Sequence, residues 1–152
     1  MSDIINEFKK DHRFLSNFFP SPIRTRNVGT DKPLIAPTAE HLYQALKSLN
    51  PEEQQLIINC ETPGQAKHTG RNITLRSGWE SIKTTVMEMI IHAKFDQNPY
   101  LADKLLSTGE ATLIKGNWWN DKLWGVCLKT NEGQNLLGKI LMNERQLIKE
   151  NR

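Results

Sequence analysis

The chain has 152 residues, 38% hydrophobic and 24% charged, which is enough apolar material for a self-sufficient core and too much for a disordered segment. Its net charge of +3, from 20 basic and 17 acidic residues, is too even to mark a nucleic-acid binder by charge alone, yet leaves room for an anionic ligand such as a phosphorylated nucleotide. Two cysteines, Cys60 and Cys127, without C-x-x-C spacing or clustered histidines, exclude a disulfide framework and suggest no metal site, so both are expected as free thiols.

The start, Met-Ser-Asp-Ile-Ile-Asn-Glu, lacks the basic-then-apolar order of a signal peptide. No apolar run approaches the roughly 18 residues of a membrane span. A soluble, cytoplasmic protein without a membrane partner is expected. No repeat, linker or low-complexity tract divides the sequence, so one domain over residues 1–152 is expected.

To about Pro37 the chain reads as extended or irregular, because Pro20, Pro22, Pro33 and Pro37 exclude a long helix. Pro22-Ile-Arg-Thr-Arg and Val28-Gly-Thr-Asp-Lys-Pro-Leu-Ile suggest a short hairpin. From Thr38 helix signals dominate. Thr38 caps a helix to about Ser48, with Leu42, Ala45, Leu46 and Leu49 as its apolar stripe. Asn50-Pro51-Glu52-Glu53 starts another, with an Asn cap, Pro at the first position and acids in the first turn. Thr62-Pro63-Gly64-Gln65 reads as a capping box, and so does Ser77-Gly78-Trp79-Glu80, which opens the longest helix, to about Phe95. Trp79, Ile82, Val86, Met89, Ile90 and Ala93 form its stripe. A shorter helix starts at Asn98-Pro99 and ends near Gly109. The last spans about 134 to 149, with Leu136, Leu137, Ile140, Leu141 and Leu147 inward. The expected class is α+β: a predominantly helical single domain with a small extended, hairpin-bearing N-terminal part.

Two groups of polar residues invite a functional reading. Glu40, Tyr43, Gln44 and Lys47 recur at spacings of three and four, so a carboxylate, a phenol, an amide and an ammonium share one helix face. That face is either a solvated, salt-bridged surface or a binding site, and spacing does not choose. The second group is Gly116-Asn-Trp-Trp-Asn-Asp-Lys-Leu-Trp-Gly125, which holds three of the four tryptophans among turn formers. Such a loop either anchors itself on the core or offers indoles to a flat heterocycle or a sugar. The scattered histidines, the glycines and Ser16 match no phosphate-loop or nucleophile pattern.

At these residues the chain resembles the NADAR superfamily, whose YbiA-like members are N-glycosidases. Phe14-Leu-Ser-Asn-Phe-Phe-Pro-Ser-Pro-Ile23 is similar to its opening S-N-F motif. Pro37-Thr-Ala-Glu-His-Leu-Tyr-Gln-Ala-Leu-Lys47 is similar to its E-H-x-x-Q-x-x-K helix, and Ala66-Lys-His-Thr-Gly-Arg71 to its A-x-x-x-G-R element. Trp79, Lys83, Val86-Met87 and Ala93-Lys-Phe95 fit its long helix. Thr108-Gly109 and Asn117-Trp-Trp-Asn-Asp-Lys-Leu-Trp-Gly125 fit its N-x-x-x-D-x-x-W-G loop, and Gly133-Gln-Asn-Leu-Leu-Gly-Lys-Ile-Leu-Met142 its closing helix. Ala39 stands where YbiA-like members often have Ser, and Trp124-Gly-Val-Cys127 is closer to members with W-G-x-C than to those with W-G-D-G.

The resemblance implies cleavage of a bond from ribose C1 to an exocyclic nitrogen, with no metal and no organic cofactor. Known activities of such members are hydrolysis of early riboflavin-pathway intermediates and removal of ADP-ribose from guanine in nucleic acid, the latter as antitoxins to ADP-ribosylating toxins. The tryptophan loop leans toward ADP-ribosyl-guanine in nucleic acid or a small nucleotide, and an ADP-ribosyltransferase toxin gene is then the neighbour to look for. Glu40 is expected as acid-base group or electrostatic stabiliser, and Asp121 as second carboxylate, orienting ribose hydroxyls or water. Trp79 and Trp124 would stack on the base or wall the ribose. Asn17 and Arg71 would hold phosphate or base edges, and Tyr43, Lys47, Lys94 and Trp119 complete the binding set. A buried lysine, Lys47 or Lys94, attacking an opened ribose aldehyde is a second chemical route. A rival from another class is an ADP-ribose or NAD-binding module in which Glu40 is dispensable.

Overall fold

In the computed structural model, which describes residues 3–152, the chain divides into two compact units. One comprises residues 17–98, and the other residues 3–16 with 99–152. The α+β class with helices dominating is borne out. Among the described residues, no helix is long and apolar enough to cross a membrane.

The unit of residues 17–98 opens with the expected hairpin. Strand β1 (Ile23–Arg26) pairs antiparallel with β2 (Pro33–Ala36), Ile23 opposite Ala36 and Arg26 opposite Pro33. Ile23 and Thr25 turn inward while Arg24 and Arg26 stay exposed, the two-residue period of a half-buried strand. Four helices follow: α1 (Ala39–Leu46), α2 (Pro51–Ile58), α3 (Pro63–Thr69) and α4 (Trp79–Gln97). Thr38 caps α1 by accepting from His41 N, and Asn50 caps α2 by accepting from Glu52 N and Glu53 N. Each such cap is worth about 1 kcal/mol.

Helix α1 is the centre of this unit and packs against α2, α3, α4 and β2. Ala45, Ile57 and Ala66, all fully buried, join α1, α2 and α3, with Leu34, Ile58 and Ile73 against them. Burying a side chain such as Ile57 contributes roughly 1.5–3 kcal/mol.

In the other unit a 3-10 helix (Lys10–Leu15) and α5 (Pro99–Ser107) pack together, and α5 packs on α6 (Leu136–Glu150). Two two-residue parallel pairs complete it. Ile4–Ile5 runs beside Thr112–Leu113, and Gly116–Asn117 beside Val126–Cys127. Extended structure is therefore not confined to the N-terminal part, as the sequence had suggested.

Other corrections are local. Ser77 does not cap α4: Gly78, at φ 76°, occupies the cap position and has no side chain to accept from the first turn. The Thr62 box is half formed. Thr62 Oγ1 accepts from Gln65 N, but Gln65 Oε1 accepts from Glu61 N instead of returning to Thr62. Leu49 lies beyond α1 and is 47% exposed, and Leu147 is 39% exposed, so neither belongs to an inward stripe. Helix α6 begins later than expected because Asn135 adopts a left-handed conformation, φ 53°.

Candidate active site

The residues expected to act are divided between the two compact units. The unit of residues 17–98 holds Asn17, Glu40, Tyr43, Lys47, Arg71, Trp79 and Lys94. The polar face of α1 is not a solvated surface: Glu40, Tyr43 and Gln44 are all less than 10% exposed. The packing of α1 on three helices and a strand turns that face inward.

Glu40 is fixed at both ends. Its N–H donates to the Asn17 carbonyl at 3.0 Å, and its Oε1 accepts from Gln44 Nε2 at 2.8 Å. Asn17 is itself buried. Its Nδ2 donates to Met87 Sδ at 3.5 Å, while its Oδ1 has no hydrogen-bond partner. His41, next to Glu40, is committed elsewhere. Its Nε2 donates to the Cys60 carbonyl at 2.9 Å, which leaves Nδ1 to accept from the Thr38 hydroxyl at 2.7 Å. Nε2 thus joins α1 to the segment just after α2, while Nδ1 stays within the α1 cap.

Tyr43 meets Trp79 with ring centroids 5.4 Å apart at 57°, and Lys47 Nζ lies 5.6 Å from the Tyr43 ring centre. Burial pushes the Lys47 ammonium below its ordinary pKa. The Glu40 carboxylate opposes that, while the positive charges of Lys67, Arg71 and Lys83 reinforce it. Lys67 and Lys83 fell within the motifs that carry the family resemblance but were given no role at the site. They stand on α3 and α4, and only the fold sets them around Lys47. Lys83 is paired with Glu80 on its own helix, and Arg71 is exposed just after α3.

Lys94, on α4, is completely buried, and that burial lowers its pKa to about 7. Asn98 Nδ2 donates to its carbonyl at 2.8 Å.

The other unit holds Trp119, Asp121 and Trp124. Asn117, 1% exposed, organises their loop. Its Oδ1 accepts from Trp119 N and Asp121 N, and its Nδ2 donates to the carbonyls of Asp121 and Val126. Asp121 Oδ1 accepts from Leu123 N and Trp124 N, and its Oδ2 pairs with Lys115 Nζ at 3.0 Å. Burial alone would raise the Asp121 carboxyl. The Lys115 ammonium and the two main-chain donors outweigh it and hold the group below the usual carboxylate range. With both oxygens engaged, Asp121 is placed to hold the loop, and the partners of its side chain do not favour the second-carboxylate role expected for it.

The closing motif explains itself in the same region. Gly125 and Gly138 leave no room for a side chain, since a Cβ would lie 2.1 Å from the Lys115 carbonyl and 2.2 Å from that of Leu113. Asn135 bridges Lys115 N and the Leu113 carbonyl. The frame leaves Trp118 48% and Trp119 64% exposed, and Trp124 partly so. The tryptophan loop is thus anchored by Asn117 and Asp121, with two indoles turned to solvent. Among the described residues, no three of His, Cys, Asp and Glu gather as metal ligands would, and Cys60 and Cys127 are free thiols.

The family model for the NADAR domain matches residues 5–149. The chain is 35% identical over 151 residues to the N-glycosidase YbiA of Shigella flexneri serotype 5b, covering 96% of this chain and 89% of that protein. It is 35% identical over 143 residues to a riboflavin biosynthesis protein of Vibrio vulnificus, covering 93% of this chain but 37% of that longer protein. The NMR structure of the E. coli protein YbiA superposes with a TM-score of 0.80 at 33% identity, covering 99% of this chain and 88% of the other.

Proposed function

Given that the chain belongs to the NADAR family, we propose that it is a hydrolase cleaving the bond between ribose C1 and an exocyclic nitrogen. The observation that carries this reading is the buried carboxylate of Glu40, oriented by Gln44 and acting on Lys47, around which the positive charges of Lys67, Arg71 and Lys83 gather. As the base departs, positive charge builds on the ribose ring. A carboxylate held out of water stabilises that charge more strongly than one in solvent. Glu40 supplies it and assists proton transfer at the leaving nitrogen or the attacking water.

The surrounding cations give the site a preference for a phosphate-bearing substrate, with Arg71 able to make paired contacts to phosphate oxygens. Tyr43 and Trp79 wall the site, and Asn17 serves a base edge. Trp119, with most of its indole in solvent, suits stacking on a base, and Trp124 joins it. Asp121 serves by holding that loop in shape.

Within this class the preferred substrate is ADP-ribosyl-guanine in nucleic acid. Its two phosphates match the positive group around Lys47. A second reading, hydrolysis of phosphorylated ribosylamino-pyrimidines of the riboflavin route, is favoured by the 35% identity to the Vibrio vulnificus protein. The two separate in one competition assay. Purified protein receives an oligonucleotide carrying ADP-ribosyl-guanine and a ribosylamino-pyrimidine phosphate together. Release of ADP-ribose first supports the nucleic-acid reading, and release of ribose phosphate first moves the assignment to the small intermediate. Binding of ADP-ribose with no release from either substrate would mark a recognition module.

A further inference from the structure

Gln44 lies one turn beyond Glu40 on α1 and is 4% exposed. Its Nε2 donates to Glu40 Oε1 at 2.8 Å, while its own Oε1 is buried without a hydrogen-bond partner. Chemistry fixes which end of the amide is which. Turned over, it would set an acceptor against a carboxylate oxygen. An orphaned interior acceptor is unfavourable, and most proteins avoid one. Here the arrangement is kept, and a second residue makes room for it. A Cβ at Gly70 would lie 2.0 Å from Gln44 Oε1 and 2.8 Å from its Cδ. Gly70 has φ −61° and ψ −15°, ordinary helical backbone that any residue adopts. Any larger residue there would force the Gln44 amide to move, although the backbone itself would accept one.

We infer that Gln44 is a positioning residue for Glu40 and that Gly70 provides the clearance it needs. This rests on the reading of Glu40 as the reacting carboxylate. A primary amide suits a carboxyl group that changes protonation state. Toward the carboxylate it donates Nε2–H. When Glu40 carries the proton, a half-turn about the last side-chain bond presents Oε1 to the Glu40 O–H, and the orphaned acceptor gains its donor. The proton stays on Glu40 throughout, and the amide exchanges only its two ends. Glu40 thereby keeps one partner and one orientation through both halves of an acid-base cycle, and the space beside Gly70 accepts either end of the amide.

The test compares Gly70→Ala, Gln44→Met (which keeps the volume), Gln44→Ala and the double variant Gln44→Ala/Gly70→Ala with wild type on the proposed substrate. Gly70→Ala and Gln44→Met should each lower kcat by about tenfold with KM within about twofold. Adding Gly70→Ala to Gln44→Ala should cost nothing further, because the atom the new methyl would strike is gone. Additive losses, or losses confined to KM, overturn the inference. A measurement without substrate separates this from failure of the hydrolase reading. In 15N NMR of the free protein, the Gln44 side-chain NH2 signals should move in both Glu40→Leu and Gly70→Ala. If they move while wild type cleaves nothing, the pairing stands and the hydrolase reading fails. If they stay in place in both variants, the pairing is overturned whatever the protein cleaves.

Discussion

Lys115 Nζ sits 3.0 Å from Asp121 Oδ2, while the other Asp121 oxygen accepts from Leu123 N and Trp124 N. One carboxylate thus ties an ammonium to two main-chain donors and fixes the turn that carries the last tryptophan. Asp121→Ala should destabilise the protein by about 1–3 kcal/mol, because it strands those donors in a partly closed site. Urea unfolding measures this. An unchanged midpoint would show that the turn holds itself without the carboxylate.

The same group sets a pH dependence. The folded Asp121 carboxyl lies below its unfolded value, so as pH falls the unfolded chain takes up the proton first. Its contribution is present above the ordinary carboxylate range and drains away below about pH 4. Subtracting the unfolding midpoints of Asp121→Asn from those of wild type, at pH values from 2 to 7, should give a difference that shrinks only at the acid end. A flat difference would remove the charge from the explanation.

Lys94 works in the opposite sense. Buried and lowered to about 7 from an ordinary 10.5, it binds its proton more weakly in the folded chain than in the unfolded one. The unfolded chain therefore holds more protons between about pH 7 and 10, and the folded state gains stability as pH rises through that window. Lys94→Met keeps the length and removes the titrating group. The difference in stability between wild type and Lys94→Met should therefore shift in favour of wild type as pH rises from about 7 to 10. A difference that does not change with pH would assign the effect to packing alone.

Arg71 is exposed beside the positive group that lowers Lys47. Arg71→Ala should raise KM for a phosphorylated substrate by about tenfold with kcat changed less than about twofold, since it removes binding common to ground and transition states. Raising the salt concentration should weaken wild type more than the variant. Equal salt sensitivity in the two proteins would take Arg71 out of phosphate recognition.

Local chemistry made most of the fold legible in the sequence. Asn50-Pro51 and Thr38 cap as their side chains dictate, and the β1–β2 hairpin forms over the two segments that suggested it. Ser77 misled because a left-handed Gly78 supplies the turn without a side-chain bond. The parallel pairs at Ile4–Ile5 and Gly116–Asn117 are two residues long and join distant segments, so no periodicity announces them. At the candidate site, spacing gathered Glu40, Tyr43, Gln44 and Lys47 onto one face. It did not say whether that face met water, because the answer depends on α2, α3, α4 and β2 closing around α1. The relation of Lys67, Lys83 and Gly70 to α1 was not legible for the same reason, although all three lie in motifs: each acts on α1 from another element. Asp121 drew attention as a carboxylate in a motif, but its hydrogen bonds are those of a turn-former.

The central claim is that Glu40 is the reacting carboxylate, and Glu40→Gln tests it most directly because it keeps shape and removes charge. Wild type and variant are assayed side by side for release of ADP-ribose from an oligonucleotide carrying ADP-ribosyl-guanine, with ribosylamino-pyrimidine phosphate as the second substrate. Wild type should cleave, with kcat lower by about 10²-fold or more in the variant. Turnover by Glu40→Gln at the wild-type rate would contradict the claim.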